Sequence, residues 1–197
     1  MSLAWADAFE PDRLGPAPTL PFATPLTREW AFGDGSGRGV KVAIVDSGIE
    51  ASHPRVGGVA GGVVLAHDPD ADDGVHAQAG EHPDVYGHGT ACAGIIRSLA
   101  PEAELYSVRV LGERLTGKGH VFAAGIAWAI DNGMDIVNLS LSTSMVDYIP
   151  MFAELCDEAA FAGVLLVSAM NNEPKTTIPS EFSSVFSVAS HPGNDLE

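Results

Sequence analysis

Short apolar runs alternate along this chain with segments in which apolar residues recur at helical spacing. The runs predict six strands, at residues 40–45, 59–66, 104–110, 135–141, 164–169 and 184–189. The segments between them predict helices at residues 90–99, 121–132 and 147–162. Runs that are apolar on both faces are typical of a parallel sheet covered by helices on both sides. We therefore predict an α/β fold, a three-layer, doubly wound and mostly parallel sheet with helices on both faces.

Some regions depart from this alternation. Residues 1–38 are rich in proline, glycine and alanine, which predicts an N-terminal arm with a short helix near residues 27–32. Residues 39–190 form the predicted α/β domain, and residues 191–197 form a tail. Residues 68–84 are acidic and show no periodicity, so we predict that they form a surface loop.

The charge balance of the 197-residue chain disfavours several classes of partner. Ten Lys and Arg against 26 Asp and Glu give a net charge of −16, which would repel nucleic acid and anionic membranes. Hydrophobic residues make up 46%, which excludes disorder, and no apolar run reaches the ~18 residues of a spanning helix. Two cysteines are too few for a disulfide scaffold, and residues 1–10 carry no base, so we expect a cytoplasmic protein without a secretory signal.

Polar side chains stand where predicted buried strands end or a helix begins, which is where ligands bind in a doubly wound sheet. Asp46 ends the first strand, although Asp-Ser-Gly is also ordinary turn chemistry. His88 lies between two glycines just before an apolar helix, although a histidine there can simply be solvated. Asn171 and Asn172 follow the strand at 164–169, and asparagine is equally suited to a turn. Taken singly, each residue leaves its structural interpretation open.

Taken together, four segments resemble the subtilisin-like serine peptidases. Residues 42–49 resemble the strand and turn that bear the family's catalytic aspartate, and residues 86–96 resemble its Gly-His-Gly-Thr helix. Residues 137–141 resemble the strand that pairs with the substrate backbone. Residues 167–173 resemble the stretch that contains the oxyanion-hole asparagine. The order of aspartate before histidine is also that of subtilisin.

The resemblance implies acyl transfer by an Asp-His-Ser triad. His88 would be the general base, Asp46 would hold its imidazole in the correct tautomer, and Asn172 would donate a hydrogen bond to the oxyanion. The resemblance also implies a substrate-binding edge. Its residues are Leu111, Gly112, Ser140, Leu141 and Ser142. The expected partner is a polypeptide substrate or a peptide ligand.

The family's nucleophile segment, Gly-Thr-Ser-Met-Ala-x-Pro, has no match in the sequence after Asn172. Ser144 lies in a similar Ser-Thr-Ser-Met stretch, but that stretch lacks the preceding glycine and directly follows the substrate-binding strand. We therefore expect a domain truncated after about six strands and inactive as this chain alone. It would associate as a homo-oligomer or bind a complementing C-terminal half. The alternative is a pseudoprotease that acts as a peptide-binding or regulatory module.

No cofactor and no metal are expected. Residues 67–74 are acidic, but an EF-hand loop that began at Asp68 would need glycine and glutamate where Asp73 and Ala79 stand. A solvated acidic loop is the preferred interpretation. Cys92 and Cys156 lie on predicted helices and are interpreted as reduced, inert thiols.

Overall fold

One seven-stranded sheet contains every named strand of the described chain. The structure is a computed structural model, and it describes residues 35–171 and 175–190 together with Thr27, Trp30 and Gly33. The predicted helix near residues 27–32 lies largely outside the described residues, and the predicted tail at 191–197 lies wholly outside them. The chain divides after Gly35 into two units, and the sheet belongs to the second, Ser36–Glu197.

The sheet is parallel except at one edge. Its strands are β1 (Lys41–Asp46), β2 (Gly61–His67), β3 (Val75–Ala79), β4 (Glu104–Arg109), β5 (Ile136–Leu139), β6 (Leu165–Ala169) and β7 (Phe186–Val188). Their order is β3-β2-β4-β1-β5-β6-β7, and only the β2–β3 pair is antiparallel. The helices are α1 (His88–Leu99), α2 (Gly119–Asp131) and α3 (Ile149–Ala162), the last preceded by a 3-10 turn at Val146–Tyr148. These elements confirm the predicted α/β fold.

The prediction of a surface loop at residues 68–84 is wrong in part, because this segment contains β3. The strand pairs with β2 alone, at the edge of the sheet, and four of its five residues are exposed. Its apolar residues alternate with polar ones, but two of the three are alanine, which is depleted in strands. The sheet accordingly has seven described strands rather than about six.

The side chains of β1 alternate between two hydrophobic cores, one on each face of the sheet. Ala43 and Val45 belong to the larger core, which is covered by α2 and α3. Val42 and Ile44 belong to the smaller core, to which α1 contributes Ala93. A strand at the centre of the sheet is thus buried on both faces, and its carboxyl end is held in a fixed position.

None of the helices in the described part of the chain is long and apolar enough to cross a bilayer.

Candidate active site

Asp46 is the last residue of the central strand β1, and its side chain is fully buried. Burial of a carboxylate is costly unless fixed donors satisfy its oxygens. The backbone N–H of Ser47 donates to Oδ1 at 2.7 Å. Both oxygens also face the ring of His88, as described below. The carboxylate is therefore held in one orientation at the carboxyl edge of the sheet.

His88 is the first residue of α1, and the flanking glycines explain how it reaches Asp46. Gly87 has a φ of 104°, in the left-handed region that favours glycine. A Cβ atom on Gly89 would clash with the carbonyl oxygen of Gly48 and would lie 3.1 Å from the Cβ of Asp46. Glycine at both positions lets the helix begin directly above the end of β1.

Asp46 and His88 form a hydrogen-bonded pair. Nδ1 of His88 lies 2.8 Å from Oδ2 and 2.9 Å from Oδ1 of Asp46. Because a carboxylate only accepts hydrogen bonds, this contact assigns the proton to Nδ1. The side chain of His88 is 38% exposed, and its Nε2 has no hydrogen-bond partner among the described residues. The ring therefore has one nitrogen fixed by a buried acid and one available for proton transfer.

His88 opens onto a cleft of about 450 Å³ that includes part of the predicted substrate-binding edge. Ser140, Leu141 and Ser142 follow β5 and line one wall. The other walls come from the segments after β6 and β7, at residues 169–171 and 188–190. The carboxyl ends of three neighbouring strands thus meet beside the imidazole.

Leu111 and Gly112, the other predicted substrate-binding residues, line a different cavity of about 660 Å³ that does not include His88. They follow β4, and the backbone N–H of Leu111 donates to the carbonyl oxygen of Asp46 at 3.1 Å. The structure therefore places the predicted substrate-binding residues in two clefts, on either side of the end of β1.

Asn172, the predicted oxyanion donor, lies outside the described residues, although its neighbour Asn171 lines the cleft at His88. Ser144 is exposed between the bridge of Thr143 to Ile178 and the 3-10 turn, and it is not among the residues that line this cleft.

Cys92, which the sequence analysis interprets as an inert thiol on a helix, lies close to the pair. Ligand atoms of Asp46, His88 and Cys92 all lie within 4.8 Å of one another. The thiol donates to the Ser140 hydroxyl at 3.4 Å, and burial raises its pKa, so at neutral pH it is a protonated and weak metal ligand. Its position one turn after His88 on α1 is the signal that would have revealed this contact.

Comparisons with known proteins agree with this geometry. A sequence model of the subtilase family (peptidase S8) matches residues 37–193. The chain is 36% identical over 165 residues to the thermostable alkaline protease of Halalkalibacterium halodurans, a match that covers 78% of this chain and 42% of that protein. It is 33% identical over 171 residues to Subtilisin Savinase of Lederbergia lenta, covering 81% and 58%. It is 34% identical over 152 residues to Subtilisin E of Bacillus subtilis, covering 70% and 35%.

The chain thus spans between 35% and 58% of the length of these three relatives. The family match nevertheless covers most of this chain and includes both members of the hydrogen-bonded pair. On this evidence the chain belongs to the subtilase family.

Proposed function

We propose that the chain supplies the acid–base part of a serine endopeptidase site that hydrolyses polypeptides. The observation that carries the proposal is the contact of His88 Nδ1 with the fully buried carboxylate of Asp46. This contact leaves Nε2 without a partner among the described residues, and His88 lines a cleft of about 450 Å³. A ring held in this way can accept a serine proton at Nε2 while the carboxylate stabilises the resulting imidazolium.

In the proposed reaction, a serine oxygen attacks the scissile carbonyl and its proton moves to His88 Nε2. The same proton then passes to the leaving amine as the peptide bond breaks and an acyl-enzyme forms. Water repeats the sequence in the second half of the reaction, with His88 again as base and then acid. Asn172 is the proposed donor to the oxyanion, a contact worth roughly 3–4 kcal/mol of barrier in subtilisin.

We further propose that the nucleophile comes from a complementing C-terminal half, because the family's serine motif has no match in this sequence. An apolar strip on the sheet supports this proposal. The strand register places the residues of this strip on the side of β5, β6 and β7 that faces α1. This is the side of the sheet on which Val42 and Ile44 of β1 pack. The strip consists of Ile136, Leu165, Val167, Phe186 and Val188, of which Phe186 is 63% and Val188 54% exposed. Val188 also lines the cleft at His88, so a segment that covers the strip would reach the imidazole.

A pseudoprotease is the second candidate function. Ser140, Leu141 and Ser142 present an edge beside the cleft where an extended peptide could lie. Such a module would bind peptides in a reducing compartment, which the two free cysteines favour. In this candidate function the acid–base pair activates no serine, so the bound peptides would not be cleaved.

Hydrolysis of an unfolded protein separates these functions. We expect no turnover by the chain alone, since removal of the nucleophile leaves only the small effects of binding and the oxyanion hole. Extension of the chain with its natural downstream coding sequence should produce turnover, and His88→Ala in the extended protein should abolish it.

Two results would contradict the proposal. Turnover by the chain alone that is lost in His88→Ala and blocked by a serine-acylating reagent would identify a nucleophile within it, with Ser144 the first residue to mutate. Peptide binding without turnover in the extended protein would favour the pseudoprotease.

A further inference from the structure

Asp84 is a carboxylate that lies next to the catalytic pair without touching it. It precedes α1 by four residues and accepts five hydrogen bonds. Its Oδ1 accepts from the Ser47 hydroxyl at 2.8 Å and from the backbone N–H groups of Tyr86 and Gly87 at 2.9 and 2.8 Å. Its Oδ2 accepts from the backbone N–H and the hydroxyl of Thr90, at 2.9 and 2.6 Å.

Two of these donors connect the segments that carry the pair. Ser47 directly follows Asp46, and its hydroxyl accepts from the backbone N–H of Gly89 in α1 at 3.2 Å. Thr90 lies two residues after His88, and its hydroxyl accepts from the backbone N–H of Glu50 at 2.9 Å. Each hydroxyl therefore accepts from the opposite segment and donates its own proton to Asp84.

The direction of these bonds depends on Asp84 being an acceptor. Both hydroxyl oxygens already accept a backbone N–H, so each hydroxyl proton needs an acceptor elsewhere. Partial burial alone would raise the pKa of Asp84, but the hydrogen bonds from Thr90, Gly87 and Tyr86 lower it to about 2. The carboxylate therefore stays ionised at neutral and mildly acidic pH, where it can satisfy both hydroxyls.

Asp84 also replaces a cap that α1 lacks. The residue at the N-cap position is Gly87, which has no side chain to accept from the first turn. Asp84 reaches into that turn and accepts from the N–H of Thr90. It therefore fixes the start of the helix, which is where His88 is attached.

We propose that Asp84 is a positioning residue of the candidate active site, which sets the contact between Asp46 and His88 through the hydroxyls of Ser47 and Thr90. This inference rests on the proposed function for its catalytic meaning. The competing interpretation is that Asp84 only caps a helix and contributes to stability. The two differ in what happens to the His88 ring when Asp84 is changed.

The test is the protonation of the His88 ring, measured by long-range 1H–15N NMR in this chain, with His88→Gln to assign the signal. We expect the native ring to carry its proton on Nδ1. Asp84→Asn is nearly isosteric, but its amide group would face the N–H and hydroxyl of Thr90 as a further donor. We expect this variant to lose most of the Nδ1–H signal as the ring populates a second tautomer or orientation.

Two control variants separate positioning from stability. Asp72→Asn removes the same charge from an exposed loop position and should leave the ring signal unchanged. Arg97→Ala removes hydrogen bonds from the other end of α1 to the carbonyl oxygens of Val56 and Ala103. It should lower the free energy of unfolding, measured with urea, and also leave the ring signal unchanged.

Thr90→Val and Thr90→Ser provide a second measurement if Asp84→Asn does not fold. Valine keeps the shape and the backbone N–H but removes the hydroxyl, so it should weaken the Nδ1–H signal, whereas serine should restore it. A native ring signal in Asp84→Asn or in Thr90→Val would overturn the proposal and leave Asp84 as a helix cap. Because no turnover is measured here, an extended protein that binds peptide without hydrolysing it would refute the proposed function without changing this readout.

Discussion

At the scale of single residues, the hydrogen bonds of the buried Asp46 determine which ring nitrogen of His88 carries the proton. Both carboxylate oxygens lie within hydrogen-bond distance of Nδ1 of His88, and the side chain of Asp46 is fully buried. Asp46→Asn would put an amide group, which is a donor, against a ring nitrogen that now donates. We expect the ring to shift its proton from Nδ1 to Nε2, as the equivalent change does in serine proteases.

The measurement for Asp46→Asn is the 15N shift of the two His88 ring nitrogens at a pH where the ring is neutral. His76→Gln is a suitable control because it changes an exposed histidine on β3. A ring that keeps its proton on Nδ1 in Asp46→Asn would mean that some other acceptor fixes the tautomer.

A second histidine, His82, should make the stability of the protein depend on pH. Its Nδ1 donates to the carbonyl oxygen of Gly80 at 3.1 Å, and its Nε2 accepts from the buried Ser107 hydroxyl at 2.9 Å. Burial lowers the pKa of His82; the Gly80 bond and Asp84 oppose this shift, and Arg109 adds to it. The folded protein therefore prefers the neutral ring more strongly than the unfolded chain does.

The sign of the His82 effect follows from linkage. Its contribution to stability is complete above the unfolded pKa of 6.5 and is lost as the pH falls through the lower folded pKa. The free energy of unfolding should thus fall as the pH drops below about 7, and the fall should be smaller in His82→Gln. Urea titrations at several pH values would show it. An identical slope in His82→Gln, with His76→Gln as control, would contradict the assignment.

At the scale of elements, α1 offers two glycines with opposite expected responses to alanine. At Gly89, a Cβ would clash with the backbone of Gly48, which cannot move without displacing Asp46. Gly89→Ala should lower the free energy of unfolding by about 2 kcal/mol or more and separate His88 from Asp46. At Gly94, a Cβ would make an ordinary contact of 3.5 Å with Arg55. Gly94→Ala should raise stability by about 0.5–1 kcal/mol, because alanine costs less backbone entropy in a helix.

Urea unfolding of the two alanine variants, together with the His88 ring signal, checks this pair of predictions. Equal effects of the two substitutions would mean that α1 does not approach β1 as closely as the structure shows.

The elements that the sequence predicts well are those that burial defines. The strands β1 and β6 contain near-continuous apolar runs, three residues of β4 are buried, and α2 and α3 carry apolar residues at helical spacing. An exposed edge strand such as β3 depends on backbone hydrogen bonds to β2. Its mostly exposed side chains give too weak a pattern for the strand to be predicted from the sequence.

The candidate site shows the same division between local and tertiary information. The contact of Asp46 with His88 could be expected because both residues lie in recognisable local motifs. The role of Asp84 could not, because it depends on hydroxyls from two segments that meet only in the folded chain. The separation of Leu111 from Ser140 into two clefts likewise depends on how the loops after β4 and β5 diverge.

At the scale of the whole molecule, the apolar strip of Ile136, Leu165, Val167, Phe186 and Val188 predicts association. A parallel sheet tolerates apolar faces only where something covers them, and among the described elements α1 covers this face at β1. At about 25 cal/mol per Å², covering ~400 Å² of such a surface provides about 10 kcal/mol before the costs of association. The net charge of −16 opposes self-association at low salt.

We therefore expect the chain to self-associate, and to do so more strongly as salt screens its charge. Light scattering at two ionic strengths measures this, with Phe186→Lys as the test variant on the strip and Phe161→Lys as its control. Phe161 is 92% exposed on α3, which packs on the other face of the sheet, so its change adds the same charge away from the strip. Phe186→Lys should reduce association at high salt, whereas Phe161→Lys should change it much less. The prediction fails if the native chain stays monomeric at high micromolar concentration and binds no hydrophobic dye. Because an exposed apolar strip would bind either a second copy or the dye, that result would show that the strip is already covered.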